Sequence, residues 1–233
     1  MRKRLLCLRL AVALLCSVLP IAPVAALYDC DFDNHDVTYP VEGGQLYFDK
    51  DKKDGMTDVN DGDWFAPSVY FVLKNGLMKG VSEFVFSPDA PMTRAMLVTV
   101  LWRYEGEPKA AANTFSDVKA GAWYFDAVSW AAANGVVDGV GNNKFDPDGN
   151  ITREQMATIF YRYCNWKGID TGKQTSLGGF PDAGKVSSYA KTALQWTVAE
   201  GLVGGSDGKL LPQGNATRAQ VATILMRFIE NVA

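Results

Sequence analysis

Three arginines occupy the same unfavourable place. In "DGNITREQM", Asp148 to Met156, Thr152 followed three residues on by Gln155 is a helix-starting capping box. Arg153 then puts a cation in the first turn, where the helix dipole is already positive, at a cost of roughly 0.3–1 kcal/mol. The same step recurs at Arg94 in "PMTRAML" and at Arg218 in "NATRAQV". Each arginine can pair with a nearby acid, such as Asp148 or the aspartate of an "FSDV"-type turn. Alternatively, arginine and helix N-terminus together face an anionic ligand, which offsets the unfavourable local term. The two readings are compatible. The guanidinium fork suits a carboxylate, and on this reading the arginines can be removed without loss of helix.

Other residue types recur in step with them. An aromatic stands near the start of each first helix: Trp64, Trp123 and Tyr189. Aromatics at helical spacing are ordinary core, but one face left open suits a sugar ring. Gly80, Gly139 and Gly205 either let a ligand approach the backbone or make a tight turn. Asp58, Asp117 and Asp182 repeat with the architecture, which points to a structural or binding role. No nucleophile elbow, phosphate loop or HExxH motif is present, and His35 is the only histidine. No cofactor or metal is implied. "DPDGNI" resembles the middle of a calcium loop, but Lys144 and Gln155 fall where its first and twelfth ligands belong, so calcium is not expected there.

These residues are positioned by a threefold internal repeat. The units contain "MTDV", "FSDV" and "FPDA", then a first helix, then glycines four apart (Gly76 and Gly80, Gly135 and Gly139, Gly201 and Gly205). A loop with Pro88, Pro147 or Pro212 leads to a second helix capped by Thr93, Thr152 or Thr217. The first helix is expected to begin near Trp64, Trp123 or Tyr189, with Trp123, Ala127, Trp130 and Ala131 on its apolar side. One helix pair buries too little to stand alone. Residues 54–111, 112–174 and 175–233 are therefore read as three helix–loop–helix units sharing one all-α, pseudo-threefold bundle.

The N-terminus is different. Arg2, Lys3, Arg4 and Arg9 precede the apolar run Leu10 to Leu19, with small residues Val24 and Ala26 before a cleavage at Leu27. Residues 1–26 read as a secretory signal peptide. Its removal takes Lys+Arg from 23 to 19 against 26 acids, about −7 overall, which disfavours nucleic acid and anionic lipid as partners. No membrane insertion is expected after cleavage. Residues 27–53, with "VTYPVEGGQLYFDKD", read as a short β-hairpin around Gly43 and Gly44. Cys30 and Cys164 remain after cleavage; export permits a disulfide between them, and otherwise Cys164 is a buried helix residue.

Taken together, the F-x-D-V turn, aromatic helix start, G-x-x-x-G, F-x-P and T-R-A-E elements, three in register, resemble S-layer homology domains over residues 54–233. The resemblance implies a pseudo-trimer whose inter-repeat grooves bind secondary cell-wall polysaccharide, often pyruvylated. The protein would be a secreted, non-catalytic envelope component held on the bacterial wall or S-layer surface without a covalent bond. It also implies a glycan site built from Arg94, Arg153 and Arg218; Asp58, Asp117 and Asp182; Trp64, Trp123 and Tyr189; and Gly80, Gly139 and Gly205. The chain departs from the pattern where glutamate is replaced by Met96, Gln155 and Gln220. Met96 cannot complete a capping box. Tyr189 and a shifted loop set the third groove apart. The rival reading is a structural or protein-interaction envelope protein with degenerate grooves and an unknown protein partner.

Overall fold

The computed structural model describes residues 55–110 and 114–233, where six α-helices form. They are α1 (Ala66–Lys74), α2 (Arg94–Tyr104), α3 (Phe125–Ala133), α4 (Arg153–Lys167), α5 (Lys191–Ala199) and α6 (Arg218–Asn231). Among the described residues, β-pairing is limited to isolated bridges. The expected leader and the 27–53 hairpin lie outside the described residues, as does Cys30. Cys164 is buried in α4, and burial pushes its thiol up to about 12.

The first helix of each unit starts two residues later than its aromatic. Trp64, Trp123 and Tyr189 lie outside the α-helices, Tyr189 in a 3-10 turn over Ser188–Ala190, while the next residue supplies the N-cap: Phe65, Tyr124 or Ala190. Ala127, Trp130 and Ala131 are buried as expected, but Trp123 is not on their stripe. All three first helices end alike. Gly76, Gly135 and Gly201 take left-handed φ of 66°, 68° and 70°. The amide one residue further on bonds back to Val72 O, Ala131 O or Thr197 O at 2.8–3.0 Å, completing a Schellman closure.

The second helices start from side-chain caps. Thr152 and Thr217 form full capping boxes with Gln155 and Gln220. Thr93 caps Met96 N at 3.2 Å without the reciprocal bond, which a methionine side chain cannot make. The remaining first-turn amides bond to the next unit. Arg94 N and Ala95 N donate to Gly149 O and Pro147 O; Arg153 N and Glu154 N donate to Gly214 O and Pro212 O; Arg218 N and Ala219 N donate to Ala90 O and Pro88 O. The calcium-like turn thus presents its carbonyls to a neighbouring helix.

The three units close into a ring. α2 packs on α3, α4 on α5, and α6 returns to α1. At the centre, Met92 N donates to Ala216 O (3.0 Å), Ala216 N to Ile151 O (2.9 Å) and Ile151 N to Met92 O (2.8 Å), a cycle with one member per unit. A single core runs through all three, including Phe86, Phe145, Phe160, Tyr163, Trp196 and Phe228. The bundle is therefore all-α and pseudo-threefold.

Candidate functional site

Each repeated arginine crosses to the following unit. Arg94 Nε donates to Phe145 O (2.8 Å) and Nη2 to Asp138 O (3.2 Å), with the guanidinium 4.7 Å above the Phe145 ring. Arg218 Nε donates to Phe86 O (2.7 Å) and Nη2 to Lys79 O (2.6 Å), and it lies 4.5 Å above Phe86. Arg153 Nε donates to Leu210 O (2.7 Å), where leucine replaces the phenylalanine and no ring is offered. Only 5–7% of each arginine is exposed. Burial lowers their pKa values, opposed by Asp146 and Asp117 at Arg94, Asp182 at Arg153 and Asp58 at Arg218; a guanidinium stays charged throughout.

This geometry accounts for the misplaced charge. The cation reaches away from its own helix to carbonyl oxygens of the neighbour. It also corrects the expectation that the helix N-terminus itself meets an anion. The first two helical amides are held by the next unit's carbonyls and the third by threonine, so no open amide cradle remains. Because the arginines join units, their removal affects folding as well as any ligand.

The aspartates brace the loop that receives the arginine. Asp58 accepts from Phe86 N (2.9 Å) and Ser87 N (2.6 Å), Asp117 from Phe145 N and Asp146 N (both 2.8 Å), and Asp182 from Leu210 N (2.9 Å) and Leu211 N (2.8 Å). Ser87, Asp146 and Leu211 have left-handed φ of 62°, 60° and 49°, each directly before a proline. A non-glycine residue there costs about 1–2 kcal/mol, and the carboxylate holds it in place. Burial pushes the Asp117 and Asp182 carboxyls up, but the paired amides win and set both below their ordinary values. A depressed carboxylate adds stability that is complete above the unfolded pKa of about 3.9 and is lost as pH falls through the folded value. Acid unfolding is therefore expected below about pH 4. D117N, which keeps one acceptor and no charge, should be less stable by about 1–3 kcal/mol at pH 7 and less acid-sensitive, as measured by urea melts across pH.

The repeated glycines fill a turn. A Cβ on Gly80 would meet Ser82 O at 2.4 Å, on Gly139 Lys144 O at 2.4 Å, and on Gly205 Lys209 O at 2.9 Å, the last also at φ +83°. They let the loop fold on itself and bring Lys79 O and Asp138 O to the arginines.

The aromatics resolve the other way. Trp64, Trp123 and Tyr189 are 64%, 59% and 54% exposed, so they are not core. Trp123 borders a groove of about 190 Å³ along α2, walled by Lys79, Arg103 and Arg218 and floored by Met92 and Met96. The groove takes one element from each unit. Its α2 wall is the stripe Met96, Thr99, Val100 and Arg103, the i, i+3/4, i+7 face. Arg94, at the start of the same helix, lies close enough to Tyr189 and Arg162 for their charges to act on one another.

Sequence reasoning missed Arg103, Arg162 and Arg227. They stand nine residues after Arg94, Arg153 and Arg218 in "LWRY", "FYRY" and "LMRF", a repeat visible to the same alignment of units. It also missed Glu154. This buried side chain accepts from Ser187 N (3.0 Å), Ser187 Oγ (2.7 Å) and Tyr189 Oη (3.1 Å). Burial and then Glu154 push the Tyr189 phenol up to about 12. Ala95 and Ala219 stand at the positions of Glu154 in the other units, so the exchange of tryptophan for tyrosine goes with a local acid.

The S-layer homology domain model matches residues 55–95, 114–157 and 179–222. The chain belongs to the S-layer homology domain family. It is 34% identical to a Surface-layer 125 kDa protein of Lysinibacillus sphaericus over 76% of this chain and 15% of that one. It is 28% identical to an Amylopullulanase of Thermoanaerobacterium thermosulfurigenes over 78% and 10%. It is also 35% identical to a Cellulosome-anchoring protein of Acetivibrio thermocellus over 38% and 20%. The S-layer homology chain thus spans a fifth or less of the length of these relatives, and what is shared is the repeat region. Among the described residues no helix is long and apolar enough to cross a membrane, and no His, Cys, Asp and Glu residues cluster as a metal site.

Proposed function

We propose that this S-layer homology chain is a non-catalytic module that holds its protein on the bacterial cell wall by binding an anionic, carboxylate-bearing secondary wall polysaccharide in the inter-repeat grooves. The observation that carries the reading is the groove along α2, where an exposed Trp123 faces the buried Arg218 and the cations Lys79 and Arg103. An exposed indole beside clustered cations in an acidic chain suits a sugar ring bearing a carboxylate: the ring stacks and the cations take the charge. Arg94, Arg153 and Arg218 act as contacts by the part of the guanidinium left at the groove, with Trp64, Trp123 and Tyr189 as stacking surfaces. Asp58, Asp117, Asp182, Gly80, Gly139 and Gly205 act by shaping the loops that hold them.

The anchoring role accords with relatives named as a surface-layer protein and a cellulosome-anchoring protein. A pyruvate ketal is the carboxylate assigned to the glycan. The test is co-sedimentation with purified bacterial walls before and after mild acid has removed the ketals. Binding is expected before treatment and lost after it. Equal binding to both preparations would remove the ketal from the reading, and no binding to either would remove the anchoring role.

A further inference from the structure

We infer that the groove along α2 is the primary site for the anionic sugar, and that the residue at the position shared by Lys79 and Asp138 decides which groove binds. The inference rests on the proposed wall-binding reading and deepens it.

The three grooves share one frame. Each has an arginine from a helix start, an arginine nine residues into the wall helix, and an exposed aromatic. Among the positions where they differ, the exposed loop residue after the first helix changes in charge: it is Lys79, Asp138 or Gly204. Along α2, Lys79 joins Arg103 and Arg218, so three cations surround the floor formed by Met96. Glu107 lies one turn beyond Arg103 with Oε1 3.9 Å from Nε, too long for a hydrogen bond, and more than half of its side chain is in water.

Along α4 the same position carries the opposite charge. Asp138 Oδ2 lies 2.5 Å from Arg162 Nη2 and occupies the guanidinium that corresponds to Arg103. Asp146 and Asp117 add further negative charge around Arg94, and Tyr189 is tied to Glu154. An incoming carboxylate there must displace a carboxylate already paired. Along α6, Gly204 offers no charge. A volume of about 190 Å³ is small against the ~300–1,000 Å³ of drug-sized pockets, so the α2 groove holds one substituted sugar residue of a longer chain, with its carboxylate toward the cations and its ring against Trp123.

Both deciding side chains are exposed, and the contacts that join the units at these positions use the backbone oxygens of Lys79 and Asp138. Charge swaps there leave the ring closed. The full chain is titrated calorimetrically with a methyl hexoside bearing a pyruvate ketal, and thermal melts confirm that each variant is folded. The expected result is that wild type binds, Lys79→Asp binds at least tenfold more weakly, and Asp138→Lys binds at least as well as wild type. Lys79→Asp within twofold of wild type overturns the inference, as does an Asp138→Lys loss equal to that of Lys79→Asp. Wild type that sediments with walls yet ignores the ketal probe overturns this inference and leaves wall anchoring standing. Failure with both probe and walls takes down both.

Discussion

Replacing Arg218 with alanine is expected to destabilise the chain by about 3–5 kcal/mol, while the same change at Arg153 costs about 1–2 kcal/mol. The difference follows from what each guanidinium touches. Arg218 satisfies two backbone carbonyls, Phe86 O at 2.7 Å and Lys79 O at 2.6 Å, and stacks on Phe86. Its loss leaves the buried acceptor Phe86 O and the part-buried Lys79 O without this partner, and a fully buried unpaired group costs about 1–3 kcal/mol. Among the described residues, Arg153 makes one side-chain hydrogen bond, to Leu210 O, and stacks on no ring. Arg94, with two bonds and a ring, should fall near Arg218.

Arg218 also stands at the joint that the chain does not tether. Units adjacent in sequence are joined by short connectors, but its partners Phe86 and Lys79 lie 132 and 139 residues away. That contact works with α6 on α1 to close the ring, and connectivity supplies nothing in its place. Against a total stability of about 5–15 kcal/mol for a domain, the loss should move the urea midpoint strongly. R218K, which keeps charge but not the planar fork, should fall between wild type and alanine. Equal midpoints for R153A and R218A would refute the proposed bonding difference. Wall binding by any arginine-to-alanine variant is therefore interpretable only beside its melt, and the triple alanine variant is not expected to stay helical.

The parts of this architecture legible in sequence are those specified within a few residues. Gly76, Gly135 and Gly201 ended helices because left-handed backbone at a C-terminus favours glycine. Thr152 with Gln155 and Thr217 with Gln220 started them, and the missing box at Met96 followed from its side chain. The partners of the arginines were not legible, because they are backbone carbonyls 51, 57 and 132 residues away. Backbone oxygens leave no mark on residue type. Which aromatic is core was not legible either, and the first helices start two residues after the aromatics near which they were expected. In "DWF" and "AWY" both rings are apolar, and only the second, Phe65 or Tyr124, is buried. The aspartates were recognised as a set, but their task depends on the left-handed residues Ser87, Asp146 and Leu211, whose types do not announce that conformation. Met96 shows how a departure from pattern can carry meaning. The residue that forfeits a capping box forms the floor of the groove with three cations.

Trp123→Ala should separate binding from stability more cleanly than any arginine change. The indole is 59% exposed, and among the described residues its one ring contact is edge-on with Tyr124, at 5.2 Å between ring centroids. Truncation should therefore cost less than about 1 kcal/mol of stability. Burial of one ring face against a sugar in the α2 groove contributes about 1–2 kcal/mol, so wall affinity should fall about tenfold while the melt barely moves. Trp64→Ala is the matched control, since that tryptophan is equally exposed but its groove has Gly204 where the α2 groove has Lys79. If stacking at the α2 groove holds the glycan, W123A weakens sedimentation with walls and W64A changes it much less. W123Y, which keeps a ring, should recover most of the loss. A W123A chain that sediments like wild type would show that the exposed indole has no part in wall binding, whatever the surrounding cations do.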